Sequence, residues 1–271
     1  MSLRIQNNVE AFNAHRQLTI TSNQQAKAME KLSSGYRINR ASDDAAGLAI
    51  SQKMRAQVSG LEQAQRNAQD AISLVQTGEG AMAEVHSMLN RLRDLAVQYN
   101  NGTLSSSDQT AITDEVSQLC AEINRIGADT KFNGIALLTG TTTLTFQVGA
   151  NDAQTISVSA TDLFGVGSSH KVDSGLFTFS GTVSLSSIDA AIVNVSSARS
   201  ALGSVQNRLE HAVNNLSTFQ ENLQSSESRI RDVDMAKEMV NFTKLQILAQ
   251  AGTAMLAQAN QSSQGVLTLL R

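Results

Sequence analysis

The chain has 271 residues, 41% hydrophobic but only 4% aromatic, with no Trp, no Pro and a single cysteine. That is enough apolar matter for a core of narrow helix–helix seams rather than a bulky interior, and no proline interrupts a long helix. Its 21 basic and 24 acidic residues are well mixed and sum to −3, which excludes the basic footprint of a nucleic-acid binder; Cys120 alone excludes an internal disulfide, and no apolar run reaches the ~20 residues needed for membrane insertion.

Residues Met1 to Ile20 are polar and rich in Gln and Asn. They lack the apolar stretch of a cleavable signal peptide, so an exported chain would leave by another route. From about Asp43 to Gln98 the residues Val58, Leu61, Ala68, Ile72, Val75, Met82, Val85, Leu89, Leu92 and Leu95 recur mostly at steps of three, four or seven. That is one apolar stripe on a helix of about 80 Å. Asn101-Gly102-Thr103 reads as its stop. Ser107 or Asp108 is a candidate cap for the next helix, whose apolar face carries Ile112, Val116, Leu119, Ile123 and Ile126, with Cys120 beside it as a buried small hydrophobe.

The period then changes. Leu144, Phe146 and Val148 alternate with polar residues, a turn follows over 149–153, and Ile156 and Val158 alternate again. This predicts a β-hairpin at about 140–160 with one buried face. Gly, Ser and Thr dominate a short variable segment at about 160–187. From Val195, the positions Ala198, Leu202, Val205, Leu209, Ala212, Leu216, Phe219, Leu223, Ser226, Ile230 and Val233 alternate three and four, which predicts a coiled-coil-like seam. A last helix from about Met235 offers Met239, Phe242, Leu245, Ala249, Leu256 and Val266 as contacts. Because the hairpin reverses the chain, the fold expected is mainly α: a long antiparallel helical rod with a small β-hairpin region in the middle and paired terminal helices. Those terminal helices are marginal alone and are expected to order among copies of themselves.

Particular motifs carry a resemblance. The stretch Leu32-Ser33-Ser34-Gly35-Tyr36-Arg37-Ile38-Asn39-Arg40-Ala41-Ser42-Asp43-Asp44-Ala45-Ala46-Gly47-Leu48-Ala49-Ile50 closely resembles the N-terminal signature of bacterial flagellins. Asn67 to Ala81, Phe146 to Asn151, Ser228 to Ala236 and the tail from Gln258 to Arg271 are similar to further motifs of that family, in the same order. The resemblance implies an inner domain of paired terminal helices (1–42 and 234–271) and a rod domain (43–187 and 188–233), with the outer domains of longer flagellins almost absent. It implies a structural, non-enzymatic subunit without cofactors that polymerises with itself into the extracellular flagellar filament and serves motility. The partners it implies are a cap protein, a hook-associated junction protein, an export chaperone of the flagellar type III route and the Toll-like receptor for flagellin. The alternatives are a hook–filament junction protein of the same family, separable by abundance, and a type III secreted helical adhesin or tip protein, which seeds would not elongate.

For the individual residues, each functional reading has a plainer rival. Arg91, Leu95 and Glu115 match positions recognised by that receptor and serving as protofilament contacts, yet Leu95 also lies on the apolar stripe. Val9, Phe12, Phe242, Leu245, Leu256 and Val266 are expected to pack terminal helices of neighbouring subunits. Ser42, Asp43 and Asp44 read as a helix cap with acids at the favourable dipole end, and also as the spoke that orients the terminal helix. Gly78-Glu79-Gly80 lacks the third glycine of a phosphate loop and falls within a helical stripe. His15, His86, His170 and His211 are scattered and do not begin the His-Glu-x-x-His of the metallopeptidase insert some flagellins carry, so no metal site is expected. Asn101-Gly102-Thr103 is formally a glycosylation sequon but reads as a turn. Thr141 to Thr143 and Ser168 to Ser169 are candidates for O-linked sugar.

Overall fold

The computed structural model describes residues 8–138, 143–158 and 184–269, with side chains through residue 261. Most of the variable segment at 160–187, Ser168 to Ser169, His170, Thr141, Thr142 and the side chain of Val266 lie outside the described residues.

Among the described residues, five long helices and two small hairpins follow one another: α1 (Val9–Ser34), α2 (Ala45–Tyr99), α3 (Ser106–Asp129), β1 (Lys131–Phe132), β2 (Ile135–Ala136), β3 (Leu144–Gln147), β4 (Thr155–Val158), α4 (Leu185–Arg231) and α5 (Met235–Leu269). The mainly α class with a central hairpin is thus observed. The chain clusters into two compact units, residues 1–56 with 222–271, and residues 57–221.

In the unit of residues 57–221, α2, α3, α4 and the hairpins share one core. The α2 stripe contributes Val75, Leu89, Leu92 and Leu95, the α3 face Ile112, Val116, Cys120 and Ile123, and α4 contributes Ile188, Leu202, Val205 and Leu209. Each fully buried leucine here stabilises by about 2–3 kcal/mol. The two long helices run antiparallel: Arg93 Nε donates to Asp189 at 2.7 Å, Arg199 pairs with Glu79 at 3.3 Å, and Gln220 Nε2 donates to Glu62 at 3.1 Å, so positions rise on one helix as they fall on the other. Strand β3 pairs with β4, Leu144 opposite Val158 and Phe146 opposite Ile156, and these four turn toward the core while Thr145 and Gln147 stay exposed. Asn67 Nδ2 of α2 donates to the Gln147 carbonyl at 3.2 Å, which anchors the hairpin.

Several local expectations need correction. The cap of α3 is Ser105, not Ser107 or Asp108: its side chain accepts from the Asp108 amide, and the Asp108 carboxylate accepts from the Ser105 amide. This reciprocal pair satisfies two end donors at once. Helix α4 starts at Leu185, three residues before the return to helix expected at about 188. Phe219 is 47% exposed rather than in the seam. A further hairpin, β1 with β2, turns through Asn133 and Gly134, both at positive φ (48° and 79°), the turn type that suits the twist of two strands. Gly78, Glu79 and Gly80 lie inside α2.

Candidate assembly surface

The other unit has little interior. Helices α1 and α5 pack along each other, antiparallel: Asn8 Nδ2 donates to the Ala259 carbonyl at 2.8 Å, Leu18 lies against Gly252, and the Val233 amide donates to the Gly35 carbonyl at 3.0 Å. Ala28, Ile38 and Leu245 are buried. Phe242, Ala249 and Leu256 are half-buried, at helical spacing from Gly252 and so on the side of α5 that meets α1.

Apolar residues cover the other sides as well. Phe12 is 72% exposed and Val240 71%; Val9, Ile20, Ile247 and Leu248 are also exposed. At about 100° per residue, Val240 and Ile247 fall on the side of α5 opposite Leu245, while Leu248 and Met255 flank the side that meets α1. A helix apolar all round belongs in a buried setting. Of the expected packing residues, Val9 and Phe12 therefore stand free in the single chain, Leu245 is already covered by it, and Phe242 and Leu256 lie between.

Between α1 and α2 the chain breaks at residues 35–44, and between α4 and α5 at 232–234. Gly35 ends α1 in the left-handed conformation, φ 74°, its amide donating to the Lys31 carbonyl. The breaks lie side by side. Tyr36 and Asp232 form an isolated antiparallel bridge, the Arg37 amide donates to the Arg231 carbonyl at 2.7 Å, and Arg37 Nη2 donates to the Ile230 carbonyl at 2.6 Å. The Tyr36 ring receives two guanidinium groups, Arg231 at 4.4 Å and Arg55 at 5.4 Å from its centroid. Glu227, buried on α4, accepts from Ser51 Oγ at 2.9 Å and from Arg55 Nε at 2.8 Å; the hydrogen bond to Tyr36 Oη and the Glu227 carboxylate hold the Arg55 pKa up. Tyr36 and Arg231 lie in two of the family-like motifs, but their meeting with Ser51, Arg55 and Glu227 leaves no mark in the sequence, since the members are far apart along the chain.

Ser42, Asp43 and Asp44 divide their work. Asp44 caps α2, its Oδ1 accepting from the Gly47 amide at 2.9 Å. Asp43 Oδ2 accepts from the amides of Arg40 and Asn39 at 3.0 and 3.2 Å, which holds its carboxyl below the ordinary carboxylate value. Ser42 is exposed beside them. In the unit of residues 57–221, Arg91 Nε and Nη2 both donate to Glu115 Oε1, at 2.9 and 2.7 Å, with both side chains about half exposed, while Leu95 is buried in the core. The three residues are near one another, but only the two charged ones offer a surface. Cys120 is free and buried, and burial pushes its thiol pKa up. Among the described residues no cluster of three His, Cys, Asp or Glu could hold a metal, and no helix is long and apolar enough to cross a membrane.

Comparison with known proteins agrees along the whole chain. Residues 5–143 match the bacterial flagellin N-terminal helical region and residues 185–270 the bacterial flagellin C-terminal helical region. The chain is 54% identical over 270 residues to a flagellin of Halalkalibacterium halodurans, covering 98% of this chain and 99% of that protein. It is 49% identical over 304 residues to the flagellin of Bacillus subtilis, covering 99% and 100%. It is 46% identical over 285 residues to the flagellar filament 31.3 kDa core protein of Treponema maltophilum, covering 98% and 99%. From the terminal helices to the central hairpins, the chain belongs to the bacterial flagellin family.

Proposed function

We propose that the chain polymerises by burying the open apolar sides of α1 and α5 against the same helices of neighbouring copies. As a flagellin it is a structural filament subunit serving motility. The finer reading assigns residues 1–42 and 234–271 to the filament's inner tube and residues 43–187 and 188–233 to the rest of the subunit. Val9, Phe12, Phe242, Leu245, Leu256 and Val266 serve the inner packing, and Arg91 with Glu115 serves contact between protofilaments.

The observation that carries this is the exposure of Phe12, Val240 and Ile247 on a helix pair with few buried residues of its own. Such surface costs about 25 cal/mol for every Å² left in water, a deficit that a second copy removes. The remaining partners of the reading are a cap protein at the growing end, a hook-associated junction protein, an export chaperone that covers the terminal helices before type III export, and the Toll-like receptor for flagellin, which would meet Arg91 and Glu115.

The test is elongation of filament fragments by full-length protein carrying Phe12→Asp or Val240→Asp. Both positions are open in the single chain, so helix content should match the parent while elongation stops. Elongation at the parent rate by both variants would overturn the proposal.

A further inference from the structure

The thioethers of this chain are unevenly placed. Met82 is buried in the core of residues 57–221 and Met88 packs against that core. On the terminal helices, by contrast, Met29, Met235, Met239 and Met255 are 53%, 48%, 50% and 64% exposed. The register of the pair, with Gly35 beside Val233 and Leu18 against Gly252, puts Met29 about level with Met239. Met235 is one turn away. Met255 lies toward the other end, lining a groove with Leu18 and Leu248.

We propose that these four methionines are oxidation sites through which a peroxide-class oxidant blocks polymerisation of the unassembled subunit. This rests on the assembly reading above. In the reaction the thioether sulfur loses two electrons and gains the oxygen of hydrogen peroxide, and the peroxide is reduced to water. No bond of the chain breaks. An apolar, flexible side chain becomes a polar, chiral sulfoxide. In the free monomer that group is solvated at no cost. In an apolar contact between copies it is buried, with a penalty per unpaired group of about tenfold or more in the association constant. Assembly covers the same sulfurs, so the reaction distinguishes free subunits from assembled ones. Met82, already covered by its own chain, does not.

The experiment uses full-length protein as monomer and as filament. Both are exposed to hydrogen peroxide, sulfoxides are mapped by peptide mass spectrometry, and elongation of fresh filament fragments is followed by light scattering. Sulfoxide is expected at Met29, Met235, Met239 and Met255 well before Met82, and faster in monomer than in filament, because a covered sulfur is out of the oxidant's reach. Elongation by the oxidised monomer is expected to fall, and the volume-conserving variant M29L/M235L/M239L/M255L is expected to elongate equally with and without peroxide. If wild-type monomer oxidised at all four positions elongates like untreated protein, or if the four sulfurs react as fast in filaments as in monomers, the inference is wrong and the assembly reading stands. If untreated protein does not elongate fragments, both fall.

Discussion

The guanidinium of Arg231 lies 4.4 Å from the centre of the Tyr36 ring, clamping the last residue of α4 to the segment that follows α1. The ring face is the contact, and such a pair is worth about 0.5–2 kcal/mol. Tyr36→Ala should therefore loosen the paired breaks, while Tyr36→Phe, which keeps the face and loses only the hydroxyl contact to Arg55 at 3.3 Å, should change little. Hydrogen exchange at the amides of Arg37 and Val233 reads this. Equal acceleration by Phe and Ala would assign the clamp to the hydroxyl.

Glu227 is the only strongly charged group buried among the described residues, and it serves Ser51 and Arg55 at once. Glu227→Ala leaves the buried Ser51 hydroxyl without its acceptor, a loss of about 1–3 kcal/mol. The effect should be confined to residues 1–56 and 222–271. Urea unfolding followed by exchange should show those amides weakened and the core around Leu202 unchanged.

Stability and surface function should separate between neighbours on α2. Leu95→Ala removes a side chain 2% exposed and should cost about 2–5 kcal/mol, lowering Tm of the monomer. Arg91→Ala breaks a half-exposed ion pair worth about 0–1 kcal/mol, so Tm should barely move while elongation or receptor activation declines. A Tm drop as large as that of Leu95→Ala would make the Arg91–Glu115 pair a stability element instead.

The regular parts of this fold were legible because their period is local. The stripe from Leu61 to Leu95 and the alternation of Leu144, Phe146, Ile156 and Val158 each report a buried face from spacing alone. The β1–β2 hairpin was readable too, through Asn133-Gly134, but its strands are two residues each and leave no alternation. Ser105, Ser107 and Asp108 could each cap α3 by residue type, and only backbone geometry chooses Ser105. Phe219 keeps the seam's spacing, yet stays half exposed at a groove it lines with Leu61, Val148 and Leu216. The Tyr36, Arg55, Glu227 and Arg231 cluster depends on contacts across nearly 200 positions, which no window of sequence contains. The open apolar sides of α1 and α5 were foreseeable as weak self-packing, though which residues face outward was not.

Acid should loosen two defined places first. Asp43 is held below its ordinary value of 3.8 by the amides of Arg40 and Asn39, and Asp108 below the same value by the side chain and amide of Ser105. A lowered carboxylate pKa favours the folded chain above the ordinary value, and the benefit is lost as pH falls below about 3.8 through the folded value. The amide resonances of Asn39, Arg40 and Ser105 should titrate with midpoints below 3.8. Midpoints above it would reverse the sign of the effect.

Removing about 40 residues from either end should leave residues 57–221 folded, since their core uses no residue outside that span. Far-ultraviolet circular dichroism should keep a cooperative melt, and sedimentation should show no polymer under salting-out. Filaments from such a truncation would place the polymer contacts elsewhere.

Both interruptions of the helical backbone, residues 35–44 and 232–234, occur beside each other and nowhere else along α1, α2, α4 and α5. Helices of 55 and 47 residues without proline are stiff struts. Within residues 1–56 and 222–271, bending is therefore expected at this short pair of non-helical segments, fastened by the Tyr36–Asp232 bridge, before it occurs inside any helix.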